Sequence, residues 1–261
     1  MRGYLALART SARSALHYRM AFVLSLFGVL FQFISLLAVW RVLVADSSMQ
    51  VLSWPQMRGY LLVAFASGVL VGLFADFSMM FRIRTGDVAL DLVKPVDYQQ
   101  ARFAEVLGGL WIEVLVVLAV GTILAVVSGD MVWPSGVQLL LFLASMLLSI
   151  PLKFIILYGF ALGCFWTQNF VGIQWARLAI VNLFSGALIP LVYLPAGLAA
   201  AAAWSPFAGL VSTPALILVG NATGVRALQL VLAEAAWVIV LWFGAKLVFR
   251  FAVRRLTVAG G

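Results

Sequence analysis

The sequence predicts an all-α integral membrane protein with six transmembrane helices, and three observations carry that expectation. Only 10% of the 261 residues are charged and 65% are hydrophobic, against about 25% charged in a soluble domain. The apolar residues are grouped into runs close to the roughly 20 residues needed to cross a bilayer. The cations, which give a net charge of +8, fall between those runs. That distribution is a membrane-topology signal and not a basic face for nucleic acid, so no nucleic-acid partner is expected.

Residues 1–19 are too polar to cross. Arg9, Arg13 and His17 recur at every fourth position, and Tyr4, Ala8, Ala12 and Ala15 occupy another face. An amphipathic helix lying against membrane lipid is expected there. The first span follows at 20–44, longer than the apolar core of about 7–15 residues in a cleavable signal peptide. After a linker with Asp46, Trp54 and Pro55, the second span is expected at 59–78. Its Ala64, Gly68 and Gly72 would let another helix approach closely.

Residues 81–102, FRIRTGDVALDLVKPVDYQQAR, form the most polar stretch of the chain. Thr85 and Asp87 suit a helix start and Pro95 a stop, which predicts a short helix over 85–95. It is far too short to span, and it mixes acids with Val88, Leu90, Leu92 and Val93. A surface helix with a contact face fits that pattern.

Spans three to five are expected at 104–127, 137–165 and 171–194, the fourth bending at Pro151. Residues 196–220 are apolar but broken by Pro206 and Pro214. Each piece is too short to cross, so a re-entrant helical hairpin packed against protein is expected, because irregular backbone cannot face lipid. The sixth span is expected at 226–249. Six spans put both termini on one side, together with Arg2, Arg9, Arg13, Arg19, Arg82, Arg84, Lys94, Arg102, Arg177, Lys246, Arg250, Arg254 and Arg255. The other side keeps Arg41, Arg58 and Arg226. The excess of cations marks the first side as cytoplasmic. Trp40, Trp54, Trp133, Trp166 and Trp175 fall at expected span ends, as an aromatic belt would.

No Walker phosphate loop, G-x-S-x-G elbow or H-E-x-x-H pair occurs. The single cysteine, Cys164, allows no internal disulfide, and His17 is the only histidine. Neither a catalytic constellation nor a cofactor or metal site is expected. The sequon at Asn221 and Thr223 carries little weight. Charges inside spans are costly and are candidates for function. Asp76 lies near the cytoplasmic end of span 2, where Arg82 and Arg84 are the expected partners. Glu113 lies roughly 15 Å along span 3 and Lys153 roughly 18–20 Å from the cytoplasmic end of span 4. Glu234 falls near a similar level. Glu113–Lys153 or Glu234–Lys153 pairs are therefore possible, as a polar element of a transport path or as a structural lock between helices.

The ordered combination resembles the permease subunit of a bacterial type-2 ABC exporter. It consists of a basic amphipathic first helix, six spans, a short polar helix after span 2 and a proline-broken hairpin before span 6. The most specific local match is IRTGDVALDLVKPVDY, residues 83–98, and the start YLALARTSARSALHYRMAFVLSL is similar to the same subgroup. The resemblance implies that Thr85, Gly86, Asp87, Leu90, Asp91, Lys94 and Pro95 belong to a coupling helix seated on a separate soluble ATPase subunit. ATP and Mg would be bound by that partner, with no cofactor on this chain. A second permease chain, the same or related, would complete the transport path. Both termini would face the cytoplasm across the bacterial inner membrane. Trp204, Pro206 and Pro214 of the hairpin would gate the outer exit, and the cargo would be hydrophobic or amphipathic. The alternative is a self-contained ion-coupled transporter or channel that uses Glu113, Lys153 and Glu234.

Overall fold

The computed structural model describes residues 2–14, 19–45, 51–71, 76–128, 134–167 and 169–254. His17, Ala15, Asp46, Gly72, Asp130, Trp133 and Arg255 lie outside the described residues, as does the side chain of Asp76. The described residues form helices and 3-10 turns joined by short irregular segments, with no strand among them.

Among the described residues, four helices are long and apolar enough to cross a membrane. They are α2 (Arg19–Ala45), α6 (Tyr98–Ser128), α7 (Gly136–Leu162) and α11 (Gly224–Val253). At 1.5 Å per residue each reaches about 40 Å or more. α7 begins at Ser135, whose hydroxyl accepts from the Gln138 N–H, and it runs on through Pro151.

The expected second and fifth spans are cut short. α3 (Trp54–Val69) has 16 residues and α8 (Phe170–Phe184) has 15, about 24 and 22 Å against a hydrocarbon core of about 30 Å. The cause is local in each case. After α3, Leu70 is extended and Val71 takes φ +57°, a left-handed conformation that β-branched residues rarely adopt. The chain resumes in α4 (Asp76–Thr85). After α8, Gly186 turns at φ +82° and gives its carbonyl to the buried Tyr60 hydroxyl at 3.1 Å. A Cβ on Gly186 would strike that hydroxyl. The chain up to Pro195 is then irregular apart from a 3-10 turn at Leu191–Tyr193.

The first helix, α1 (Arg2–Ser14), lies along the first half of α6. Tyr4, Leu7, Ala8, Ser11 and Ala12 are half-buried while Arg9 and Arg13 stay exposed. The Ser11 hydroxyl donates to the Glu105 carbonyl at 2.7 Å, and the Asp97 N–H donates to the Tyr4 hydroxyl at 3.1 Å. The backbones approach so closely at Gly108 that a Cβ there would collide with Ala8.

Residues 196–220 fold as α9 (Ala196–Trp204), a 3-10 turn at Pro206–Leu210 and α10 (Ser212–Leu218). Pro206 opens the turn. Pro214, expected to be a break, sits instead in the first turn of α10, where its missing N–H leaves no helical bond unmade. Residues 208–219 are almost entirely buried, and Gln138 Nε2 on α7 donates to the Ile217 carbonyl at 2.5 Å. One other expectation changes, at Trp40. Trp40 is buried on Tyr193, centroids 4.8 Å apart, with Nε1 donating to the Leu188 carbonyl, so it belongs to the core and not to a belt. Arg177, expected among the cytoplasmic cations, is buried seven residues into α8 beside Gln174.

Candidate functional site

Three groups of charged side chains organise the molecule, and they lie on different elements. The first is the polar stretch after α4. Its helix, α5, is only Val88–Leu92, shorter than the expected 85–95. Thr85 closes α4 instead of opening α5, and its hydroxyl reaches the Asp87 carboxylate at 2.8 Å. Gly86 provides the turn between the two helices at φ +81°, a conformation glycine takes without steric cost. Pro95 lies three residues beyond the end of α5.

Asp91 is the centre of this group. It belongs to the set that the resemblance assigns to the coupling helix, and its carboxylate is buried within three cations. Lys94 Nζ lies at 2.7 Å, Arg82 Nη1 at 3.0 Å and Arg102 Nη2 at 3.4 Å. Arg102 is itself buried, pairs with Glu105 at 2.8 Å and lies over the Tyr98 ring. Burial alone would push the Asp91 carboxyl up. The Lys94 hydrogen bond and the Arg102 and Arg82 guanidinium groups outweigh it, holding the carboxyl below the usual range. Leu90 and Val93, by contrast, are 70% and 84% exposed. α5 is thus anchored by its acid to α4 and α6, while Leu90 within it and Val93 just past its end turn to solvent. Lys246 of α11 adds a tie to Asp97 at 3.3 Å.

The second group stands at the α3 break. Lys153 of α7 donates to the carbonyls of Ser67, Gly68 and Leu70. Glu113 of α6, buried, accepts from the Val71 N–H at 2.6 Å. A helix end leaves its last carbonyls without partners and carries partial negative charge. A lysine there supplies both the donors and the opposing charge. Both residues therefore hold interrupted backbone together, a role that residue type and depth alone did not suggest.

The third group is Glu234 on α11. Its Oε2 accepts from the Ser145 hydroxyl of α7 at 2.6 Å, and no Lys153 contact forms among the described residues. Oε1 has no hydrogen-bond partner among the described residues. The side chain forms part of the wall of a cavity of about 350 Å³ beneath the α9–α10 connection. Trp204, Pro206 and Thr213 line the same cavity, whereas Pro214 does not.

Sequence reasoning selected Asp91, Glu113, Lys153 and Glu234 but not the Arg82 and Arg102 cations, the Ser145 hydroxyl or the backbone groups that meet them. Arg82 and Arg102 flank Asp91 at separations of nine and eleven residues, each on a different helix from it. Lys94, at i+3, is the partner nearest to Asp91 in sequence. The described residues contain no group of acids, histidines and cysteine able to hold a metal ion.

The sequence profile of the family described as "ABC-2 family transporter protein" matches residues 29–260. No curated protein matches the chain. The match runs from within α2 to beyond α11 and encloses all three charged groups, so the chain belongs to the ABC-2 transporter family.

Proposed function

We propose that this chain is the permease subunit of an ATP-driven exporter that moves a hydrophobic or amphipathic cargo across the bacterial cytoplasmic membrane. Membership of a family of ABC transporter membrane components supports the permease role. In this reading a separate soluble ATPase binds ATP and Mg, a second permease chain completes the path, and both termini are cytoplasmic.

One observation carries the reading. Leu90 within α5 and Val93 just past its end face solvent while Asp91, between them in sequence, is locked inside by three cations. A five-residue helix cannot stand alone in water, and here ion pairs fix it in a projecting position. An exposed apolar pair on a rigid mount fits the cleft of a partner protein. ATPase closure would push α5, and the Arg102 and Arg82 pairs would pass the displacement to α6 and α4. Trp204, 82% exposed at the mouth of the outer hairpin, would move with the gate alongside Pro206, with Pro214 stiffening α10 behind it.

The test is co-purification from membranes with the products of neighbouring genes, followed by ATPase and dye-efflux assays in proteoliposomes. Wild type should bring down a Walker-containing subunit. Leu90→Asp and Val93→Asp, both at exposed positions, should leave the chain folded but reduce capture by about tenfold or more, as expected for losing an apolar anchor. A chain that purifies alone and moves solute on an ion gradient would overturn the proposal. The coordination of Lys153 and Glu113 by backbone weighs against that ion-coupled alternative.

A further inference from the structure

The cavity beneath the α9–α10 connection offers a ligand no available charge. Glu234 borders it, but Oε2 is engaged by the Ser145 hydroxyl at 2.6 Å and Oε1 is sealed within the protein. Gly209 of the 3-10 turn covers this side chain so closely that an added Cβ would come within 2.9 Å of its Cγ. The other lining residues carry no ionisable group. A charged ligand would therefore bury its charge unpaired, which is strongly unfavourable.

A neutral polar group is presented instead. Thr213, in the first turn of α10, lines the cavity and is 5% exposed. Its hydroxyl makes no hydrogen bond to another described residue, yet unlike Glu234 Oε1 it keeps accessible surface. Two glutamines hold α10 in place: Gln138 Nε2 donates to the Ile217 carbonyl at 2.5 Å and Gln56 Nε2 to the Val219 carbonyl at 3.2 Å. The Thr213 hydroxyl is thus a fixed group able both to donate and to accept. Ser205 adds an acceptor to the same wall, because its own O–H is committed to the Ala202 carbonyl at 2.6 Å.

The rest of the wall is apolar. Trp237 uses its one donor on the Trp204 carbonyl at 3.2 Å, so it presents only its ring. Ala233, Ala236 and Val240 of α11 line the cavity and are exposed. They lie about 14–24 Å along α11 from its start, near the middle of this 30-residue helix. The cavity therefore opens sideways at hydrocarbon depth, away from charged lipid headgroups. Its volume of about 350 Å³ falls within the range of about 300–1,000 Å³ for small-molecule sites. We infer that it binds an uncharged single-chain amphiphile of the long-chain alcohol kind, with the hydroxyl on Thr213 and the chain along the Trp237 ring. The inference deepens the exporter reading by naming a cargo class, and it rests on that reading for transport but not for binding.

The experiment is photolabelling of the full chain in phosphatidylcholine nanodiscs by a diazirine-bearing dodecanol, read by mass spectrometry as saturable modification within residues 203–240. Unlabelled dodecanol should displace the label at least about tenfold better than dodecylamine or dodecyl sulfate, whose charges the cavity cannot pair. It should also displace it about two- to tenfold better than dodecane, the worth of one neutral hydrogen bond. Thr213→Val keeps the shape and removes a hydroxyl that no other described residue uses, so the chain should fold and the preference over dodecane should vanish. Ala233→Phe, at an exposed lining position, should block labelling and keeps the test decisive if Thr213→Val fails to fold. Dodecane equal to dodecanol on the wild type identifies a bilayer acyl chain as the occupant and overturns the site. A charged competitor that matches dodecanol overturns it too, as does a preference that survives Thr213→Val or labelling that survives Ala233→Phe. Labelling needs no ATP. A chain without an ATPase partner therefore refutes the exporter reading and leaves this site standing, while a missing alcohol preference refutes the site and leaves ATPase capture intact.

Discussion

Replacing Asp91 by Asn tests whether the ion-pair cluster under α5 is a mechanical joint. The side chains of Asp91 and Arg102 are 5% and 3% exposed. Removing one member of such a buried pair costs about 3–5 kcal/mol, because the other charge is left uncompensated. Asn keeps a neutral acceptor, and Arg102 keeps Glu105 at 2.8 Å, so the cost falls just below that range, about 2–3 kcal/mol. Lys94 and Arg82 are 51% and 39% exposed, and each adds less than about 1 kcal/mol. The expected loss of melting temperature is about 4–8 °C, measured by intrinsic fluorescence of the purified chain in detergent. The pH dependence gives a second check. Asp91 has a folded pKa below its unfolded value, so its contribution is present above the unfolded pKa of about 3.9 and lost as pH falls through the folded value. The difference between wild type and Asp91→Asn should therefore stay flat from about pH 5 to 8 and close only in stronger acid. A double-mutant cycle with Arg102→Gln should return a coupling of about 1–2 kcal/mol. A coupling near zero, or a gap that closes between pH 5 and 8, would refute the buried-pair reasoning.

Three further substitutions follow from the same structure. Lys153→Met removes the donor from three carbonyls at the α3 break and should destabilise the chain by about 3 kcal/mol; Lys153→Arg should recover part of this in denaturant titrations. Gly186→Ala forces a side chain into φ +82° against the Tyr60 hydroxyl and should cost about 2 kcal/mol or more, whereas Gly197→Ala, with open space around it, should be neutral or slightly stabilising in the same assay. Gly108→Leu should detach α1 from α6, read as faster proteolytic cleavage within residues 2–14 while the remaining helices stay protected.

What was legible in the sequence follows the range of the interactions involved. Long apolar runs declare themselves locally, and α2, α6, α7 and α11 overlap the apolar runs at 20–44, 104–127, 137–165 and 226–249, with α6 starting six residues earlier at Tyr98. The polar segment around Asp91 and the proline-broken stretch around Pro206 were also visible as composition. The short lengths of α3 and α8 were not. Residues 59–78 and 171–194 are mostly apolar, with Asp76 in the first and Gln174, Arg177 and Asn182 in the second, and Pro190 comes only after α8 has ended at Phe184. The chain leaves helical geometry at Val71 because Lys153 and Glu113, 82 and 42 residues downstream, satisfy the backbone it frees. At Gly186 the partner is Tyr60, 126 residues upstream. The same blindness hid Arg102 from Asp91 and Ser145 from Glu234, since neither pair shares a helix. Pro214 misled for a different reason: proline ends a helix in the interior but is accommodated in its first turn, and only the structure says which applies.

The two clusters on the proposed cytoplasmic half share one helix, and this constrains how a push could travel. α6 holds α5 through Arg102 and Asp91, and it holds the α3 break through Glu113 and the Val71 N–H. The two attachment points are eleven residues apart, about 16 Å along a continuous helix. A displacement of α5 therefore acts on the break through a rigid rod, without passing through the segment between α3 and α4. On the far side of the break, Lys153 ties the end of α3 to α7, and α7 in turn carries Ser145 against Glu234. The buried charges are thus spaced as fasteners at each joint where a helix stops or changes partner. An apolar contact at those joints could slide under load. A charge-assisted hydrogen bond to backbone or to a buried acid cannot do so without exposing an unpaired group to hydrocarbon. That difference accounts for ionisable residues at these depths in a chain that otherwise has so few.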